Sequence, residues 1–136
     1  MKRAGIFLFF DPQGLVDDYI VECLTSLREY LDEILVVSNS PLDDTARERL
    51  LTGATEVFER ENTGFDVGGY RDGIARFGWD RLGQIDELIL FNYTFFAPVN
   101  PWKNLFDRVD AAGAVDFWGI TEHDVVRPHT FLAAAR

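Results

Sequence analysis

The chain has 136 residues, 47% hydrophobic and 26% charged, with thirteen basic against twenty-three acidic side chains and a formal charge of −10. That size and composition suit one globular domain with a hydrophobic core of its own. The acidic balance, with no stripe of lysine or arginine, argues against nucleic acid as a partner, because a polyphosphate would be repelled.

In chain order, residues 4–10 form a nearly continuous apolar run that ends at Asp11-Pro12-Gln13-Gly14, a turn signal. This predicts a strand buried on both faces, as in a parallel sheet. Leu15, Val16, Tyr19, Ile20, Cys23, Leu24, Leu27, Tyr30 and Leu31 then recur at three- and four-residue spacing, an amphipathic helix with Asp17 and Asp18 in its first turn. Residues 33–38 (EILVVS) give a second buried strand. Ser40-Pro41 reads as a cap followed by proline at the first helical position, with Leu42, Ala46 and Leu50 carrying that helix to Gly53. Residues 55–59 (TEVFE) make a third, less apolar strand. A helix on Val67, Tyr70, Ile74 and Phe77 stops near Gly78, and residues 87–91 (ELILF) form a fourth strand. Asn100-Pro101 repeats the cap-plus-proline start before Trp102, Leu105, Phe106 and Val109. Residues 116–121 (DFWGIT) form a fifth strand, and HTFLAAAR shows no closing element.

Alternating strands and helices with short connections predict an α/β three-layer sandwich, a largely parallel central sheet with helices on both faces. No repeat, linker or low-complexity tract divides it. The apolar run in MKRAGIFLFF is too short for a membrane span, is broken at once and lacks a small-residue cleavage site. A cytoplasmic location is expected, with peripheral attachment to the inner face of the membrane compatible with it. Cys23, the one cysteine, reads as a small buried hydrophobe in a reducing compartment.

Ligands of open parallel sheets gather at the carboxyl ends of the strands. Here those ends carry Phe10-Asp11, Ser38-Asn39, residues 62–66, Asn92-Tyr93-Thr94 and Thr121-Glu122-His123. No GxGxxG follows the first strand and no P-loop, HExxH, GxSxG or cysteine cluster occurs. His123 and His129, the two histidines, read more simply as single polar contacts than as a metal pair. A receiver-type signalling domain would need an acidic pair after the first strand and a lysine after the last, and neither is present.

The stretch ENTGFDVGGYRDG at 61–73 holds four glycines. Each interior one costs a helix about 0.5–1 kcal/mol relative to alanine, so Gly68 and Gly69 call for close helix–sheet packing or a ligand lying on the backbone. Asp66 and Asp72 would repel a bare phosphate, whereas carboxylates and amides match sugar hydroxyls. A sugar nucleotide fits this acidic, glycine-rich strand end with its single Arg71 better than phosphate does.

ILVVSNSPL at 34–42, ENTGFDVGGYRDGI at 61–74, DELILFNYTFFAPVNP at 86–101 and DFWGITEH at 116–123 resemble the rhamnan synthesis protein F family of bacterial cell-surface polysaccharide assembly, regarded as GT-A-type glycosyltransferases. The resemblance implies one GT-A-like nucleotide-sugar-binding domain over 1–136, lacking most of the acceptor half. It implies a nucleoside-diphosphate sugar donor such as dTDP-L-rhamnose and a glycan or lipid-linked glycan acceptor. By this resemblance Phe10, Asp11, Ser38 and Asn39 face the base. Asn62, Gly64, Asp66 and Arg71 line ribose, sugar or diphosphate, and Asn92-Tyr93-Thr94 occupies the place of the Asp-x-Asp-like metal motif. Tyr93 stands there for the expected aspartate. A neutral phenol is a poor ligand for Mn or Mg, which leaves Asp66 as the candidate metal oxygen. Asp116, Glu122 and His123 are the candidates for a catalytic base. The alternative is a degenerate, non-catalytic module that partners or regulates polysaccharide assembly, with Phe95, Phe96 and Trp102 as a contact surface. A homodimer across the sheet edge after Thr121, or a polysaccharide-assembly complex, is the expected association.

Overall fold

The computed structural model describes residues 1–120 and the backbone of residues 132–135. The elements run β1 (Arg3–Phe9), α1 (Asp18–Leu27), β2 (Glu33–Ser38), α2 (Asp44–Leu51), β3 (Glu56–Glu59), α3 (Phe65–Phe77), α4 (Trp79–Leu82), β4 (Glu87–Asn92), α5 (Trp102–Ala111), β5 (Phe117–Gly119) and β6 (Leu132–Ala135). β1 is buried at every one of its seven positions and β2 at all but its first, as continuous apolar runs require in a sheet covered on both sides. The sheet order is β3-β2-β1-β4-β6-β5. The first four strands in that order are parallel, and β6 pairs antiparallel with both β4 and β5. The fold is a Rossmann-like α/β sandwich.

Side chains of β1 alternate between two cores. Phe7 and Phe9, with Ile34, Val36, Ile89 and Phe91, pack under α1, α2 and α5. Ala4, Ile6 and Leu8, with Leu35 and Val37, pack under α3 and α4. α3 lies unusually close to the sheet. A Cβ at Gly69 would come within 2.5 Å of Leu8 Cδ2, and one at Gly73 within 2.9 Å of Ile6 Cγ2. For Gly69 and Gly73, helix–sheet packing therefore accounts for the glycines.

Several boundaries differ from the sequence expectation. Asp43, not Ser40, caps α2, its Oδ1 accepting from the Ala46 amide at 2.7 Å. Ser40 instead donates from Oγ to the Asp11 carbonyl at 2.7 Å and accepts from the Asp11 amide at 2.8 Å, tying the ends of β1 and β2 together. Pro101 occupies the cap position of α5 with no side-chain bond, so Asn100 is not the cap. Val67, expected on the apolar face of α3, is 81% exposed. The tail does supply a closing element. β6 inserts between β4 and β5, which no local pattern in LAAA announces because the pairing is long-range. Cys23 is buried as expected, and burial pushes its thiol up to about 12.

Candidate functional site at the carboxyl edge of the sheet

β1 leads through α1 to β2 on one side, whereas β4 lies on the other side of β1. The crevice at this reversal, above the carboxyl ends of β1 and β4, is where open α/β sheets bind ligands. Asp11 enters it from β1, Asn92 and Tyr93 from β4, and Asp66 from the first turn of α3. Asn92 is buried and donates from Nδ2 to Asp66 Oδ2 at 3.4 Å, while its Oδ1 accepts from Thr94 Oγ1 at 2.7 Å. The strand end and the helix start are thus joined through one amide.

Gly64 immediately precedes α3 at φ 70° and ψ 12°, and Phe65 follows at φ 47°. The left-handed region is open to glycine and costly for an aromatic residue, so the chain turns here under strain. No side chain caps α3, which leaves its first-turn amides to solvent or to an anionic ligand.

Tyr93 is half-buried. Its ring lies edge-to-face with Phe9 at 6.2 Å and Phe10 at 6.5 Å, and its carbonyl accepts from Tyr19 Oη at 3.0 Å. Burial, with the Asp66 and Asp11 carboxylates adding to it, raises the phenol above its ordinary value. Tyr93 therefore stays a neutral phenol at physiological pH. Among the described residues no three histidine, cysteine, aspartate or glutamate side chains gather to hold a metal ion. A divalent cation would find at most Asp66 and Asp11 here.

The remaining candidates are placed unevenly. Asp11 Oδ1 accepts from the amides of Gln13 and Leu15, both at 2.9 Å, so that oxygen shapes its own turn. Ser38 is fully buried and its hydroxyl bonds only Ser40, donating to its carbonyl at 2.7 Å and accepting from its amide at 3.2 Å. It braces the turn behind Asn39. Asn62, Asp66, Arg71 and Thr94 are exposed, and Arg71 pairs with its neighbour Asp72 at 2.8 Å. Asp116 is set apart from this group. Strand register places Phe117 opposite Ala135 and Ala135 opposite Leu88, so Asp116 lies near the start of β4, roughly 17 Å along the strand from Asn92. That is the edge opposite the crevice, which removes Asp116 from reach as a base. Glu122, His123 and His129 lie outside the described residues.

Arg60 is the residue that sequence reasoning missed. It follows β3 directly, between Glu59 and Glu61, and its side chain is only 5% exposed. Nε donates to Asp72 Oδ2 at 2.7 Å, Nη1 to Asn39 Oδ1 at 2.7 Å and Nη2 to the Thr63 carbonyl at 2.6 Å. The signal was present in the sequence as a lone cation at a strand's carboxyl end, just before the glycine-rich segment. Bonds from Arg60 and then Arg71 hold the Asp72 carboxyl below its usual range.

These features define a class: a Rossmann-like α/β domain with a polar, acidic crevice at the switch point of its parallel sheet. Residues 34–134 match rhamnan synthesis protein F, and the chain belongs to that family. It is also 31% identical over 104 residues to the uncharacterized protein y4gN of Sinorhizobium fredii, an overlap of 76% of this chain and 27% of that protein. The chain thus corresponds to about a quarter of the length of this curated relative. No described helix is long and apolar enough to cross a membrane.

Proposed function

We propose that this domain binds a nucleoside-diphosphate sugar at the carboxyl edge of its sheet, as the donor-binding part of a GT-A-like glycosyltransferase in polysaccharide synthesis of the rhamnan or O-antigen type. The observation that carries the reading is the convergence of Asp11, Asp66 and Asn92 at the switch point, beside the uncapped start of α3. Carboxylates and a carboxamide suit sugar hydroxyls, and a free helix start suits a diphosphate. Family membership supports a role in rhamnan synthesis, and dTDP-L-rhamnose is the donor to test first. The acceptor would be a glycan or a lipid-linked glycan at the inner face of the membrane. Mg or Mn would take the Asp66 and Asp11 carboxylates and complete its shell with diphosphate oxygens and water. The protein's own part is to orient the donor, with Asn92 holding Asp66 over the end of β4.

A thermal-shift panel of nucleotide sugars, with and without manganese, tests the reading. dTDP or dTDP-L-rhamnose should raise the melting temperature while NAD and ATP leave it unchanged. No shift with any sugar nucleotide at millimolar concentration would overturn it. A second reading, a non-catalytic partner or regulatory module, draws on one observation: the place of the metal motif is filled by a half-buried, neutral Tyr93 packed on Phe9 and Phe10. Under that reading Phe96, 72% exposed, would belong to a contact surface, whereas Trp102 is buried in the core and would not.

A further inference from the structure

α3 begins on a turn that its own residues do not favour. Gly64 (φ 70°) and Phe65 (φ 47°) follow one another in the left-handed region, and Phe65 is the one non-glycine residue at positive φ among the described residues. Its ring is 74% exposed, so packing does not hold the turn. Strain of this kind persists only where the surroundings over-determine it. Arg60, buried just after β3, supplies that constraint. Its Nη2 donates to the Thr63 carbonyl at 2.6 Å, immediately before the turn, and its Nε donates to Asp72 Oδ2 at 2.7 Å, on α3 beyond it. Gly68 lets the two ends close up: its amide donates to the Gly64 carbonyl at 2.8 Å, and a Cβ there would come within 2.3 Å of the Thr63 carbonyl. Asp66 lies between the two anchors. The bond its carboxylate accepts from Asn92, at 3.4 Å, is long enough that a small displacement would break it.

We infer that Arg60 is a positioning residue: by tying Thr63 to Asp72 across the turn, it holds Gly64 and Phe65 in their strained form and so sets Asp66 against Asn92. The purpose of the device rests on the donor-binding reading, in which Asp66 is a carboxylate offered to the ligand. The inference adds what keeps that carboxylate in place before a ligand arrives, so that little ordering is left for binding to do. Arg60 needs no ligand contact of its own for this, since its donors are engaged by Asp72, Asn39 and Thr63. Without the clamp, Phe65 relaxes toward ordinary φ and carries Asp66, the next residue, away from the end of β4.

The side-chain amide of Asn92 reports on Asp66 directly, so the test follows its proton–nitrogen NMR resonances, with Asp66→Ala marking where they fall once the carboxylate is gone. Arg60→Lys keeps the charge but cannot span the same partners. It should move the Asn92 resonances toward their Asp66→Ala positions while the backbone amides of β1 stay where they are. dTDP affinity should fall about threefold in the unmodified background and not in Asp66→Ala. A brace that only stabilised the fold would lower the melting temperature and leave the Asn92 resonances in place. That result in a folded Arg60→Lys overturns the inference, as does an equal affinity loss in both backgrounds. If Arg60→Lys does not fold, Asp72→Ala removes the anchor on α3 instead and should move the same resonances, and unmoved resonances there overturn the inference. If the unmodified protein binds no dTDP, the donor-binding reading falls, while the Asn92 resonances still decide what Arg60 does to Asp66.

Discussion

The two edges of the parallel sheet treat charge in opposite ways. At the amino edge the first residues of the strands, Arg3, Glu33, Glu56 and Glu87, all sit in ion pairs. Arg3 bonds Glu87 at 3.0 Å and also meets Asp110, while Arg81 bridges Glu33 at 2.6 Å and Glu56 at 3.2 Å, with Lys2 and Arg76 completing the chain. At the carboxyl edge, among the described residues, Asp11 and Asp66 form no ion pair, and the buried Arg60 side chain is engaged by Asp72, Asn39 and Thr63. Charges that neutralise each other stabilise a fold. Charges left over at a switch point are available to a ligand.

The comparison breaks most severely at Arg3. Arg3→Met removes the guanidinium that bonds the fully buried Glu87 carboxylate, and should lower stability by about 3–5 kcal/mol in urea unfolding. It should leave nucleotide affinity of the folded fraction unchanged. Gly68→Ala attacks the carboxyl edge instead. Its Cβ would lie 2.3 Å from the Thr63 carbonyl and 3.1 Å from Arg60 Nη2. Overpacking there should cost about 1–3 kcal/mol and weaken ligand binding as well, read by calorimetry on the folded protein.

Acid should unmake the amino edge first. Burial alone would raise the carboxyls of Glu33 and Glu56, yet hydrogen bonds from Arg81 and Lys2 at Glu33, and from Arg76 and Arg81 at Glu56, outweigh it and hold both below their ordinary value. A folded pKa below the unfolded one contributes stability above the unfolded value, about 4.3 for glutamate, that is lost as pH falls through the folded one. The urea midpoint should therefore drop as pH falls below about 4, and Glu56→Gln should flatten that decline.

Tyr93→Asp sharpens the comparison from the other side. A third carboxylate beside Asp66 and Asp11 should create manganese-dependent nucleotide binding if the crevice is otherwise intact, measured as a melting-temperature shift that appears only with metal. Unchanged behaviour would favour the non-catalytic reading. Arg71→Ala gives the smallest stability effect, within about 0.5 kcal/mol, because the pair with Asp72 is exposed and screened. A loss of diphosphate affinity without loss of stability would place Arg71 on the ligand.

The apolar runs and their 3.6-residue alternation made β1, β2, α1 and α3 legible, because burial on two faces or one stripe writes itself into local sequence. The acidic, glycine-rich edge and the family resemblance were equally local. The cap of α2 was not: Ser40 and Asp43 are both competent caps, and Ser40 is claimed by Asp11 across the sheet. The place of β6 was hidden too, since LAAA gains its partner from β4, some forty residues away in sequence.

By itself, then, the sequence determined an acidic α/β domain with a parallel core, and it put Asn92, Asp66 and Asp11 at strand ends and helix starts. Only the tertiary structure decided that Asp66 meets Asn92, that Gly69 serves packing, that Asp116 lies on the far edge and that Arg60 bonds Asn39. The reason is physical. Periodicity records which face of an element is dry, whereas the pairing of polar groups depends on strand order and on register fixed across long loops.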